Sequence, residues 1–400
     1  MTDEEDLDVE GMKGFKKDAH KQFYIWKDIW TKGVRSKDDD PIFVYGHMIK
    51  YLIEPDQTPF LDLLGGGGFV PHGHGNRVIG EAIVAMRNQA IQTSDRGDHA
   101  YAATAEFMSE VEDNLALGDS PAWQFASSET EAFLLLMEAL HEQCESVLVV
   151  NGPERWPANS KTRHWSNLHS LTPGNLLWKQ MARSEKVAIV VYPVNPETFE
   201  VVDQTTLSLI DSLKSQKDVT LVWDLSVTAG WTRELFDVHP GADAVMLGGP
   251  LGGGMPFGAI VSREPLPFPE SGRWSATAGN ALVSQMGLHA MILARGNEVR
   301  DRYDLLVSAV GQELETIQTM LPEVVREITG GGLLGGFRLS SAAEAHRVYS
   351  GLKDRGVLVG SLGLDRSVVT FRVARTTDPH DVSELFDKVF EILIEERDEK

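Results

Sequence analysis

Residues 219–224 read VTLVWD. The first five positions carry only apolar or β-branched side chains, so the run has no polar face to turn toward water. A strand of that kind is buried on both sides. Four further short runs share the texture: SVLVV at 146–150, VAIVVY at 187–192, AVML at 244–247 and GAIV at 258–261. Such runs, separated by helix- or loop-length connections, predict an α/β fold built on a buried and mainly parallel sheet. Open sheets of this type hold ligands beyond the carboxyl ends of their strands, which is where Asp224 falls.

Helical periodicity surrounds these runs. Ile79, Ile83, Met86 and Ala90 form one stripe, and Phe133, Leu136, Met137 and Leu140 a second. Upstream, 14–35 reads as a helix with Phe23, Trp26 and Trp30 on one face, and PIFVYGHMIKYL at 41–52 as a short β segment. FLDLLGGGG at 60–68 ends in four glycines that must form a tight loop. After Asn280 the texture changes. A long helical stretch (about 281–320) precedes glycine-bounded strands in GGLLGGFRL at 331–339 and SVVTFRVA at 367–374, with helices at 341–355 and 379–396. The expected organisation is an acidic tail (1–12), an N-terminal segment (13–60) joining a smaller domain, a large domain (61–290) and a C-terminal small α+β domain (291–400).

Composition narrows the function classes. The 59 acidic and 37 basic residues give a net charge of −22, which argues against nucleic-acid or anionic-membrane surfaces. No apolar run reaches the ~18 residues of a membrane span, and the opening MTDEEDLDVE is acidic, unlike a signal or transit peptide. The cytosol is the expected compartment. The single cysteine, Cys144, excludes an intrachain disulfide and any cysteine-clustered metal site, and no His/Asn partner marks it as a catalytic thiol. His72-Gly-His74 by itself could suggest a metal site. Gly252–Gly254 lacks the Lys-Ser/Thr of a phosphate loop and reads as a hinge.

Five segments, in order, resemble the class III aminotransferases, a subgroup of the fold-type I pyridoxal-phosphate (PLP) enzymes. FLDLLGGGGFVPHGHGNRVIGEAI (60–83) resembles the stretch before the family's first large-domain helix, and FASSETEAFLLLMEAL (125–140) its phosphate-binding turn and helix. VWDLSVTAGWTR (222–233) resembles the strand with the cofactor-binding aspartate, and DAVMLGGPLGGGMPFGAIVS (243–262) the loop with the Schiff-base lysine. WSATAGNALVSQMGLHA (274–290) resembles the segment that reaches a phosphate across the dimer interface. With GVLVG and VVTFRVA, the likeness spans about residues 42–395. It implies a PLP-transferase-like large domain plus a smaller α+β domain, and a homodimer.

That chemistry needs a lysine amine to bond the cofactor, a carboxylate on the ring nitrogen, backbone amides for the phosphate and usually an arginine for the substrate carboxylate. By resemblance Asp224 is the carboxylate. The lysine is absent: Gly249 falls at its position, and no lysine occurs between Lys217 and Lys353. The phosphate turn reads Ser128-Glu129-Thr130, with Glu129 in place of glycine. A carboxylate ~5 Å from a dianionic phosphate is repelled by several kcal/mol at an effective dielectric of ~20, against the ~0.3–2 kcal/mol a helix N-terminus returns. The family's Glu-Pro becomes Tyr192-Pro193, and its cross-subunit threonine falls at Ala276, with Thr277 one residue on. The aromatic that stacks on the family's cofactor ring has no clear counterpart, though 151–165 offers Trp156, His164 and Trp165; Arg372 matches a family arginine in position, or is a strand arginine paired with local acids. By resemblance His74 belongs to the family's ordinary Gly-His pair, so no metal is expected.

Three functions remain open on the sequence. The first is a class III aminotransferase-like protein that has lost transamination and reuses its cleft. The second is a lysine-independent enzyme that binds PLP or pyridoxamine phosphate noncovalently, acting on an amino acid or amino sugar with His74, His164 or Tyr192 as base. The third is a non-catalytic subunit paired with an active paralogue.

Overall fold

The computed structural model of the chain describes residues 44, 46–48, 50–54, 58–86, 102–153, 166–168, 183–268, 279–360 and 366–398. The expected helix at 14–35, and Ala90, Trp156, His164, Trp165, Ala276 and Thr277, lie outside the described residues.

Three short strands come first, β1 (Gly46–Met48), β2 (Tyr51–Ile53) and β3 (Pro59–Asp62), followed by helices α1 (Arg77–Met86) and α2 (Ala102–Leu115). The central elements are β4 (Ala122–Ala126), α3 (Glu129–Gln143), β5 (Ser146–Val150), β6 (Ser166–Leu168), β7 (Lys186–Val191), α4 (Gln204–Gln216), β8 (Asp218–Asp224), β9 (Ala244–Leu247) and β10 (Gly258–Ser262). The remainder comprises α5 (Ala281–Arg295), α6 (Asn297–Met320), β11 (Glu327–Gly331), β12 (Leu334–Arg338), α7 (Ala342–Asp354), β13 (Val357–Leu358), β14 (Val368–Arg372) and α8 (Pro379–Asp398).

Among the described residues the central sheet has seven strands in the order β4-β10-β9-β8-β7-β5-β6. Strands β9, β8, β7, β5 and β6 run parallel, whereas β10 is antiparallel to both β9 and β4. The reversal has a local cause. A parallel return needs a crossover of about a dozen residues or more, and the link over 248–257 holds no α-helix. Alternation across the sheet explains the unbroken apolar runs. Val187, Ile189 and Val191 of β7 join one core and Ala188 and Val190 the other, all fully buried.

β1, β2 and β3 pair with β13 in a four-stranded sheet, and β11, β12 and β14 form an antiparallel three-stranded one. Leu61 and Leu63 share a core with Val310, Phe337, Phe371 and Phe386. The segment ahead of the glycine run therefore packs with the C-terminal elements.

Several expectations need correction. The 281–320 helix is two helices, broken at Gly296, whose N–H closes onto the Leu293 carbonyl. GGLLGGFRL is not one strand but the tip and second arm of the β11–β12 hairpin. Ile83 is 50% exposed, and the buried stripe of α1 is Ile79, Ala82 and Met86. The four glycines form a 3-10 turn, each with positive φ between 60° and 99°, which side-chain-bearing residues rarely adopt. No described helix is long and apolar enough to cross a membrane, and no described group of three His, Cys, Asp or Glu side chains could hold a metal.

Candidate active site

Asp224 ends β8 at its carboxyl edge and is 1% exposed. Its Oδ1 accepts the Ser226 N–H at 2.9 Å, while Oδ2 is buried without a hydrogen-bond partner among the described residues. Burial pushes its pKa up to about 7, against the opposing pull of Ser226 and the Tyr192 hydroxyl, and the nearby charge of Glu129 raises it further. Tyr192, one residue past β7 and 2% exposed, is itself driven well above its ordinary range by burial and by Asp224.

Glu129 opens α3, whose N-terminal turn faces this pair. Burial raises its pKa, while the Gly249 N–H and the Arg372 guanidinium both favour its charged form. Arg372, at the end of β14, is 7% exposed and lies over the Phe199 ring at 4.7 Å. Burial lowers it to about 10, with Asp62 and Glu129 acting in the opposite direction. Asp62 fixes the glycine turn by accepting from the Leu64 and Gly66 N–H groups at 2.9 and 2.7 Å, and it pairs with His74 Nε2 at 2.6 Å. His74 is thus held by Asp62, whose charge also acts on Arg372.

The structure accordingly brings together Asp224, Tyr192, Glu129, Gly249 and Arg372, with His74 joined through Asp62. It does not bring in Thr130, which is exposed. Ser128 is turned to a different task. Its Oγ accepts the Glu131 N–H at 3.2 Å, and Glu131 reaches back to the Ser127 N–H at 2.6 Å and to the Ser127 hydroxyl. This reciprocal cap spends both polar side chains on the helix itself. Ser128→Ala should therefore lower stability by about 1 kcal/mol, read as a shift in the urea unfolding midpoint; no shift would mean the cap carries no load.

Two residues that sequence reasoning passed over shape the site. A Cβ built on Gly249 would lie 2.1 and 2.2 Å from the Phe69 ring, so that ring fills the space any side chain at 249 would need. Trp231, fully buried, sets the turn that carries Phe69: its Nε1 donates to the Gly68 carbonyl at 2.8 Å, and its ring edge stands 2.5 Å from where a Gly65 Cβ would be. The sequence offered a signal for each, an aromatic directly after the glycine run and a tryptophan in the loop following Asp224.

The family model described as Aminotransferase class-III matches residues 175–393, more than half of the chain. The mitochondrial acetylornithine aminotransferase of Yarrowia lipolytica is 27% identical over 128 residues, covering 32% of this chain and 30% of that one. The mitochondrial ornithine aminotransferase of Oryza sativa is 30% identical over 123 residues, covering 29% and 26%. The aligned stretch thus spans under a third of these relatives' length. Among solved structures, the ornithine aminotransferase of Toxoplasma gondii superposes with a TM-score of 0.80 at 16% identity over 99% of both chains. A transaminase from the marine bacterium Virgibacillus gives 0.79 at 13% identity, over 94% of this chain and 99% of that one. Those two likenesses establish the PLP-dependent aminotransferase fold, and the family match establishes that this chain belongs to the class-III aminotransferases.

Proposed function

We propose that this protein is a class III aminotransferase-like protein that does not transaminate, its old cofactor cleft being filled by its own side chains. The observation that carries the reading is the Phe69 ring lying where a side chain at position 249 would begin. Fit to PLP can be judged residue by residue. Asp224, with a buried and unpartnered Oδ2, suits the ring nitrogen of such a cofactor. The rest does not suit it. There is no amine between Lys217 and Lys353 to bond it, and Phe69 stands against the position that would supply one. Glu129 puts a carboxylate at the helix N-terminus, where an anion would sit, and takes up the Gly249 N–H. Two separate contacts to a single cofactor are thus altered. A homodimer, as the family resemblance implies, belongs to the same reading.

The test is a PLP titration of the purified chain, with visible absorbance recorded before and after borohydride. The expected result is no saturable binding and no trapped adduct. Saturable binding that borohydride cannot trap would replace this reading with the lysine-independent enzyme, and co-purification with a lysine-bearing relative would replace it with the partner subunit. A trapped lysine adduct would overturn the assignment of the site.

A further inference from the structure

The turn that carries Phe69 is gripped at both ends by one stretch of chain. On the entry side the Arg372 N–H donates to the Leu63 carbonyl at 2.7 Å, and Arg372 Nη1 to the Leu64 carbonyl at 3.3 Å. On the exit side the Arg375 N–H donates to the Pro71 carbonyl and the Thr376 hydroxyl to the His72 carbonyl, both at 2.8 Å. Residues 372–376 lead out of β14 among the C-terminal elements. Gly249, against which the Phe69 ring stands, follows β9 of the central sheet.

The middle of the turn is held by Trp231, and Trp231 is held by Arg375. The Arg375 side chain is fully buried, and its Nη1 donates to the Gly230 carbonyl at 3.1 Å and the Thr232 carbonyl at 2.8 Å, one residue to either side of Trp231. Nη2 reaches the Ala294 carbonyl in the last turn of α5 at 3.4 Å, and the Tyr303 ring covers the group at 4.9 Å. A buried cation is expensive to keep. One whose bonds go to the backbone carbonyls of two segments fixes where those segments run. The planar guanidinium fork spans such a spread of acceptors, which the point charge of a lysine does not. We propose that residues 372–376 are a strap that keeps the Asp224 cleft shut, with Arg375 as the positioning residue that seats Trp231 and, through it, Phe69. Closure is thereby set by the C-terminal elements, and a shift of these elements from the central sheet carries Phe69 with it. The inference rests on the reading of the cleft as filled by Phe69.

Hydrogen–deuterium exchange of the full chain, read by peptide mass and without any cofactor, tests the strap. Arg375→Met removes the fork at similar length and leaves the backbone bond to Pro71. Peptides covering 64–72 and 247–251 should then exchange about tenfold faster or more, with β5, β7, β8, β11, β12 and α8 unchanged. In a Trp231→Phe chain, whose link to Gly68 is already cut, Arg375→Met should add less than about twofold. Thr376→Val keeps the protein testable if Arg375→Met does not fold. It removes one hydrogen bond from a half-buried residue, and should speed exchange by roughly threefold to tenfold in 64–72 alone. Unchanged exchange of 64–72 in the variants that fold overturns the proposal. So does a rise of the same size in α8 and the β11–β12 hairpin, the mark of general loosening, or a full Arg375→Met effect in the Trp231→Phe chain. The two readings fail separately. Saturable PLP binding by the wild type would remove the filled cleft and leave the exchange pattern standing, whereas unchanged exchange in a chain that binds no PLP would remove the strap alone.

Discussion

Replacing Gly249 with lysine should cost the protein 3 kcal/mol or about that in stability, and adding Phe69→Ala to the same chain should recover most of the loss. The backbone at 249 is not in the left-handed region, so the cost is one of space. The new Cβ would meet ring atoms of Phe69 at 2.1 and 2.2 Å, well inside any real contact, and the rest of the lysine follows. Overpacking typically costs ~1–3 kcal/mol, and occasionally more. Phe69 is only half-buried, so Phe69→Ala alone should cost less than the ~3–5 kcal/mol of a core phenylalanine. Urea unfolding of both single variants and the double gives the coupling directly, because residues in contact depart from additivity. Additive single effects would show that Phe69 does not plug the site. The double variant still carries Glu129, so borohydride trapping of PLP should first appear only when Glu129→Gly is added.

The contrast between β7 and Phe69 shows what a sequence can and cannot display. β7 was legible because both its faces are buried, and a strand with no polar face leaves an unbroken apolar run whatever surrounds it. Asp224, Glu129 and Gly249 could be singled out only as positions within ordered motifs, by what the family resemblance implies each should be. The contact between Phe69 and Gly249 was not legible. Phe69 and Gly249 lie far apart in the chain, and only the positive-φ glycine turn, anchored by Trp231 and Asp62, brings them together. Ile83 failed for a simpler reason. A helical stripe can be continued by three or by four residues, and α1 buries Ala82 instead of its neighbour. The break at Gly296 was written in the sequence as Gly296-Asn297, but the apolar pattern runs through it and masked the stop.

Asp224→Asn should stabilise the protein at pH 8 by up to about 4 kcal/mol and make it newly sensitive to acid. The Asp224 carboxyl is raised by burial from 3.8 to about 7, so between those values the folded chain holds a proton that the unfolded chain has released. Its contribution is full below about pH 4, falls as pH rises, and is lost above about 7; a shift of that size at ~1.4 kcal/mol per unit gives the figure. His72 works in the opposite direction. Burial, with Arg375 beside it, lowers it from 6.5 to about 3, so the folded chain lacks a proton that the unfolded chain binds as pH falls below 6.5. From about pH 4 to 6.5 the two proton differences oppose each other, and the wild-type profile should be nearly flat in that window. Asparagine keeps an acceptor for the Ser226 N–H and removes the ionisation. The variant should then lie above wild type at pH 8, lose stability steeply below pH 6.5 as His72 acts unopposed, and meet the wild-type curve near pH 4. Glu129, also raised by burial, leaves a residual slope of the same sign as that of Asp224. Unfolding free energies at unit pH steps from 4 to 8 decide the matter. A constant offset between the two proteins, or a variant less stable at pH 8, would mean that Asp224 is ionised in its buried site and that some group beyond Ser226 and Tyr192 holds its charge.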